Sequence, residues 1–249
     1  MSDLSIESGQ RTAPTAADIP KEDVGDFSRF GVRAFTTTRD AGTFSLGGAD
    51  PCGEVMSRWT ALQDELSLQA RRTVIGRQVH GSTVITHRGG WEGLLRTGKA
   101  DGHLAAEKGI ALAVSTADCV PIFFAHPTGA VGILHSGWRG TVAKILESGI
   151  QAFARLGLAP DELSMHLGPA VCGRCYEVSA DVRAQLTGQP VNRAGNVDLR
   201  SLIAEHATDA GVLNITVSPW CTRCDNDRFF SHRAGDAGRQ VAVIVAGIV

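Results

Sequence analysis

The sequence predicts an α+β domain in which mixed β-sheets carry helices packed outside them. Two observations support this. Three short apolar runs at 110–115, 120–125 and 130–134 are separated by turn signals and suit strands buried on both faces. Helical stripes stand before and after them, but without the strict alternation of a βαβ repeat. No internal repeat and no low-complexity linker divides the chain, although its length alone permits one large domain or two small ones.

The elements follow in order. Residues 1 to about 20 are polar and acidic and offer little to bury, so they read as a poorly ordered tail before a domain spanning 21–249. A first strand is expected at 32–37. Val55, Trp59, Leu62 and Leu66 recur at helical spacing and predict an amphipathic helix over 53–68. Segments 73–80 and 83–86 flank Gly81-Ser82 and read as a hairpin. After the three central strands, Val142, Ile145, Leu146, Gly149, Ile150 and Phe153 predict a helix over 140–156. A strand at 164–167 precedes a helix starting at Ser179, where Ser179 and Asp181 offer capping chemistry. Asp198 is expected to cap a further helix reaching Ala210. Strands at 215–218 and 240–245 complete the series.

Composition narrows the function classes. Hydrophobic residues make up 43% and charged residues 20%, the balance of a globular chain. The formal net charge of −2 gives no general reason to expect nucleic acid as a partner. No apolar run is long enough to span a bilayer, so no membrane association is expected. The N-terminal segment has neither a basic region nor an apolar core of export type, which predicts a cytoplasmic location. In that reducing compartment the six cysteines are expected as ligands, catalysts or core residues rather than disulfides.

Three pieces carry chemistry: GRQVHG (76–81), TADCVPI (116–122) and LHSGWRG (134–140). They place His80, Cys119 and His135 at strand ends beside turns. One thiolate and two imidazoles suit Zn²⁺, with a fourth tetrahedral position left for water or substrate. The alternative is a buried cysteine with two hydrogen-bonded histidines. Spacing alone does not decide between them.

These pieces, together with ADG (100–102), LGPAVCGRCYEV (167–178) and WCTRCDNDRFFSHR (220–233), resemble the laccase-domain family. Its members have been described as polyphenol oxidases, as peptidoglycan editing factors and as zinc-dependent purine nucleoside phosphorylases with adenosine deaminase activity. The likeness runs in order from about Val32 to Val245. It implies a layered α+β sandwich and assigns the metal to His80, Cys119 and His135, with zinc as cofactor and copper able to occupy the same ligands. It further implies a purine nucleoside and phosphate as substrates. The chain is expected as a monomer or homodimer. Two departures concern substrate contacts: Ser45-Leu46-Gly47 where Asn-Leu-Gly is common, and His232 where many members have tyrosine.

Neighbouring residues are candidates beside those ligands. Asp118 is read either as a catalytic group that accepts a proton or binds a ribose hydroxyl, or as a carboxylate orienting His80 or His135. Arg139 is a candidate phosphate-holding cation in catalysis, or else stacks on Trp138. Arg39 is a second phosphate candidate. Gln78 shares the strand face of His80, and Tyr176, the sole tyrosine, is a candidate substrate contact. The CGRC and CTRC pairs have zinc-knuckle spacing, but the family's metal lies elsewhere, so reduced thiols are expected and a structural zinc is the alternative. Two enzyme readings compete with phosphorolysis. Multicopper oxidation needs many histidines, whereas this chain has eight, scattered and without a His-x-His. A metal-free thiol hydrolase acting on peptidoglycan precursors would use Cys119 with a histidine base.

Overall fold

The computed structural model describes residues 18–48 and 50–247. In chain order its elements are β1 (Lys21–Asp23), β2 (Arg33–Thr37), α1 (Cys52–Leu66), β3 (Arg72–Arg77), β4 (Val84–His87), β5 (Gly93–Lys99), β6 (Gly102–Ala105), β7 (Ile110–Thr116), β8 (Val120–Ala125), β9 (Val131–Ser136), α2 (Trp138–Val142), α3 (Ile145–Ala154), β10 (Ser164–Leu167), β11 (Glu177–Val178), α4 (Ala180–Thr187), β12 (Gly195–Asn196), α5 (Leu199–Asp209), β13 (Asn214–Val217) and β14 (Gln240–Val245). Two six-stranded sheets form, ordered β1-β2-β14-β7-β3-β5 and β13-β10-β8-β9-β6-β4, with β11 and β12 as a separate ribbon. Both large sheets mix parallel and antiparallel pairs.

The period-2 alternation of a strand explains the layering. In β7, Ile110, Leu112 and Val114 point between the sheets and meet Phe123, Val131 and Ile133. Ala111 and Ala113 point the other way and pack under Val55, Trp59, Leu62 and Leu66 of α1. The outer face of the second sheet behaves alike: Leu104, Ile122, Phe124 and Leu134 pack against Ile145, Ile150 and Phe153 of α3 and Ile203 of α5. Both sheets are covered on both sides, which is why the central strands read as unbroken apolar runs. The result is the expected single α+β domain, built as a helix–sheet–sheet–helix sandwich.

The described chain differs from expectation in four places. The expected tail lies outside the described residues up to position 17, but Ile19 at its end is buried beneath α1. The hairpin about Gly81-Ser82 does not form. β3 pairs with β5 and β7 in one sheet, and β4 pairs with β6 in the other. The turn fails as a hairpin because the N–H groups of Val79, His80 and Gly81 donate to the Asp101 carboxylate rather than across a ladder. The helix expected over 140–156 breaks into α2 and α3 at Lys144, which takes a left-handed backbone with φ 61°. Strands β1, β5 and β6 and the β11–β12 ribbon were not anticipated. The caps hold as expected: Ser179 accepts from Val182 N, and Asp198 accepts from Arg200 N and Ser201 N. Among the described residues no helix is long and apolar enough to cross a membrane.

Candidate metal centre

The chain leaves the first sheet after β3, passes His80, and enters the second sheet. Cys119 ends the β7–β8 connection, and His135 sits near the end of β9, paired with Pro121 of β8. These three places converge. The donor atoms of His80, Cys119 and His135 lie within 4.8 Å of one another, and the two imidazole rings meet edge-on at 4.9 Å between centroids. His80 is exposed and His135 buried, so the trio is closed on the protein side and open toward solvent. Gly137 makes the approach feasible, since a Cβ there would stand 2.7 Å from Cys119 Sγ. This donor set, with one open face, fits a tetrahedral zinc that retains a vacant position.

Asp101 organises the centre. It is wholly buried, and its Oδ1 accepts from His135 Nδ1 at 3.0 Å and from His80 N at 2.9 Å. Its Oδ2 accepts from Val79 N at 3.0 Å and Gly81 N at 2.9 Å. A carboxylate on Nδ1 fixes the ring and leaves Nε2 of His135 as the nitrogen open to a metal. Burial pushes the Asp101 carboxyl up, but His135 and the N–H groups of Gly81 and Val79 outweigh it and hold it below its ordinary range. Burial likewise pushes the Cys119 thiol up, yet the charge and hydrogen bond of His135, with help from His80, bring it down to about 6. Burial pushes His135 down, and the Cys119 thiolate and Asp101 reverse this and lift it to about 9. In the metal-free trio both shifts favour the charged form, thiolate at Cys119 and imidazolium at His135. A cation binding there takes a ready thiolate and displaces the proton of His135.

The trio lies in a cleft of about 740 Å³. Of the candidates from sequence, Gln78, Asp118, Arg139 and Tyr176 line it and Arg39 does not. Arg39 is held by structural bonds instead, to Asp236 Oδ2 at 2.6 Å, Asn226 O at 2.7 Å and Phe229 O at 3.2 Å. Gln78 faces the cleft, but its amide is engaged with Ser115 through three hydrogen bonds. Asp118 does not orient either histidine. With φ 83°, it accepts from Thr222 Oγ1 at 2.6 Å and Arg233 N at 2.7 Å, tying two loops to the Cys119 turn. Arg139 lies over the Trp138 ring at 4.3 Å.

Sequence reasoning missed Asp101 and Arg233. The first stood in view within ADG, but nothing local distinguishes it from Asp118. Arg233 follows His232 in the late motif and lies over the Tyr176 ring at 4.7 Å, on the cleft wall. Arg239 also lines the cleft, but its Nη1 donates to the carbonyls of Asp236, Ala237 and Gly238. Neither Arg139 nor Arg233 makes an ion pair with a carboxylate among the described residues.

A second convergence involves the knuckle pairs. Cys172, Cys175, Cys221 and Cys224 bring their sulfur atoms within 4.8 Å of one another, away from the trio.

Comparison with known proteins places this architecture. The family described as multi-copper polyphenol oxidoreductase laccase matches residues 34–247. Purine nucleoside phosphorylase ORF3 of Streptomyces griseus is 35% identical over 209 residues, covering 80% of this chain and 85% of that protein. Adenosine deaminase RL5, from an unknown prokaryotic organism, is 29% identical over 232 residues, covering 82% of this chain and 88% of that protein. The crystal structure of YlmD from Geobacillus stearothermophilus superposes with a TM-score of 0.81 at 30% identity, covering 88% of this chain and 94% of that one. With that match over most of its length, and with relatives spanning the same fold, the chain belongs to this laccase-like family.

Proposed function

We propose that the chain is a zinc-dependent purine nucleoside phosphorylase that also deaminates adenosine at the same centre. One observation carries this reading. The His80–Cys119–His135 trio and two arginines without carboxylate partners, Arg139 and Arg233, share one cleft. A cation site beside an anion site is what a nucleoside and phosphate together require. The names borne by the relatives from Streptomyces griseus and the unknown prokaryote point the same way.

The reaction joins a phosphate oxygen to C1′ of the ribose as the C1′–N9 bond breaks, giving ribose 1-phosphate and the free base, which gains a proton. Adenosine, inosine and methylthioadenosine are the substrates to test. Arg139 and Arg233 hold phosphate at the sugar face, and fixing both reactants there removes much of the entropic barrier. Their stacking on Trp138 and Tyr176 orients each planar guanidinium. Tyr176 is buried, and burial raises its phenol, so it stays protonated as a donor toward substrate. Asp118 holds the Thr222 and Arg233 loops against the Cys119 turn and acts by positioning. Zinc, when bound to the trio, supplies Lewis acidity and activates water for deamination.

The deciding experiment incubates metal-analysed protein with inosine, with and without phosphate, and with adenosine. Phosphate-dependent release of hypoxanthine and formation of inosine from adenosine support the reading; oxidation of a phenol without either product overturns it. Copper is tested by the same elemental analysis, since it binds such ligands at least as tightly as zinc. Among the described residues only the trio and the four-cysteine group converge as metal-capable sets, too few for a multicopper centre.

A second reading rests on one observation: Cys119, His135 and Asp101 also form a thiolate–imidazole–carboxylate series, the arrangement of a thiol hydrolase. Activity that depends on Cys119 but survives complete chelation would select it, with peptidoglycan precursors as the substrates to try.

A further inference from the structure

Outside the cleft the most telling cluster is the four-cysteine group. We propose that Cys172, Cys175, Cys221 and Cys224 bind a second zinc ion, a structural one, which clamps together the two loops that form one wall of the cleft. The inference stands independently of the reaction proposed above.

The geometry carries it. A zinc–sulfur bond of about 2.3 Å in a tetrahedron sets the sulfur atoms about 3.8 Å apart. The four sulfurs lie within 4.8 Å of one another, with Cys175 Sγ and Cys224 Sγ at 3.4 Å. The four are free cysteines, and their sulfurs stand close to the spacing that an ion among them would set. The backbone is already folded as two knuckles. Cys224 N donates to Cys221 Sγ at 3.4 Å within its own pair. Cys172 N donates to the same sulfur at 3.3 Å from the other pair, and Ala170 bridges Cys221. N–H groups aimed at sulfur are donors that a metal-bound cysteine accepts. Arg174 and Arg223 sit in the middle of the two pairs, where they offset the net double negative charge of zinc with four thiolates.

Four ligands fill a zinc coordination sphere and leave no position for substrate, the mark of a structural site. The trio, with three ligands and an open face, is of the other kind. The place of the cluster gives it a purpose. The pairs are 49 residues apart in sequence and meet only through the fold. Cys175 directly precedes Tyr176, a cleft residue. Thr222, inside the second pair, donates to Asp118 beside Cys119. An ion here ties the Tyr176 loop and the Thr222 loop to each other and, through Asp118, to the catalytic turn.

Elemental analysis of the full chain purified without added metal, with native mass spectrometry, tests this. Two metal ions per chain are expected in the wild type, at least one of them zinc. Cys175→Ser/Cys224→Ser should lose one, and His80→Ala/Cys119→Ser should lose the other. Cobalt loaded into the second variant should give the intense charge-transfer and visible bands of a tetrathiolate site. If Cys175→Ser/Cys224→Ser does not fold, the His80→Ala/Cys119→Ser protein still decides: a thiol-directed mercurial should release its remaining zinc in step with the blocking of these four cysteines. A wild type with one ion that His80→Ala/Cys119→Ser removes completely overturns the proposal. So does a mass four hydrogens short, which would mean two disulfides.

Discussion

Replacing Asp101 by asparagine tests whether one buried carboxylate assembles the metal centre. Asp101 receives four donors: Val79 N, His80 N, Gly81 N and His135 Nδ1, all at 2.9–3.0 Å. Asparagine keeps the shape but has only one acceptor oxygen. In either orientation of the amide, two of the four donors face an NH₂ group and lose their partner. Each such loss costs about 1–2 kcal/mol in a partly exposed turn, so folding stability should fall by about 2–4 kcal/mol. The effect on the metal should be specific, because the carboxylate also fixes the ring and tautomer of His135. Loss of such an orienting partner weakens metal affinity roughly 10–100-fold. Competition between the protein and a chromogenic chelator measures that term, and urea unfolding of the metal-free form measures the first. An Asp101→Asn protein with affinity within twofold of wild type and an unchanged urea midpoint would refute the reasoning.

Further outcomes follow from the same geometry. Gly137→Ala should press a methyl group into Cys119 Sγ, where the 2.7 Å approach leaves no room; overpacking of about 1–3 kcal/mol directed at one ligand should appear as roughly 5–160-fold weaker metal binding with secondary structure intact by circular dichroism. Arg139→Met and Arg233→Met should each lower kcat/KM for phosphate by roughly 10–100-fold, the value of a charge-assisted hydrogen bond, while leaving inosine affinity near wild type; equal loss for both substrates would remove these residues from the phosphate site. His103 is wholly buried beside His87, and burial followed by the His87 charge holds it down at about 3 against an ordinary 6.5. Its folded value lies below its unfolded value, so its contribution is intact above pH 6.5 and lost as pH falls toward 3. The unfolding free energy from urea titration should drop between pH 7.5 and 5 by about 2 kcal/mol more in wild type than in His103→Gln; identical drops would contradict the assignment.

Much of the fold was legible because burial on both faces leaves a plain trace. The runs that became β7, β8, β9 and β14 are apolar at nearly every position, and the structure covers them from both sides. α1 showed its single buried stripe, and Ser179 and Asp198 cap in the expected way. The hairpin misled because a Gly-Ser turn between apolar segments looks the same whether the strands pair or part. What separates β3 from β4 is Asp101, some 20 residues away in sequence, which takes the turn's N–H groups. β5 was invisible for a different reason: GLLRTGK lies at the sheet edge, partly exposed, with two glycines and two cations. The helix break at Lys144 had no glycine or proline to announce it. In the site, the three ligand candidates stood at strand ends, where the sheet brings them together. The roles of Asp101 and Asp118 could not be told apart from sequence, since each is a carboxylate in a turn and only tertiary contact decides which one meets the imidazole. Arg39 and Arg233 are likewise told apart only by tertiary contact: the second lines the cleft and the first does not.

The central claim is that His80, Cys119 and His135 hold one ion on which turnover depends. Its most direct test is inosine phosphorolysis by wild type and Cys119→Ala, each measured beside its own metal content. The account predicts that Cys119→Ala loses one equivalent of metal and all but a trace of phosphate-dependent turnover while unfolding cooperatively like wild type. A Cys119→Ala protein that keeps its full metal complement and normal turnover would contradict it.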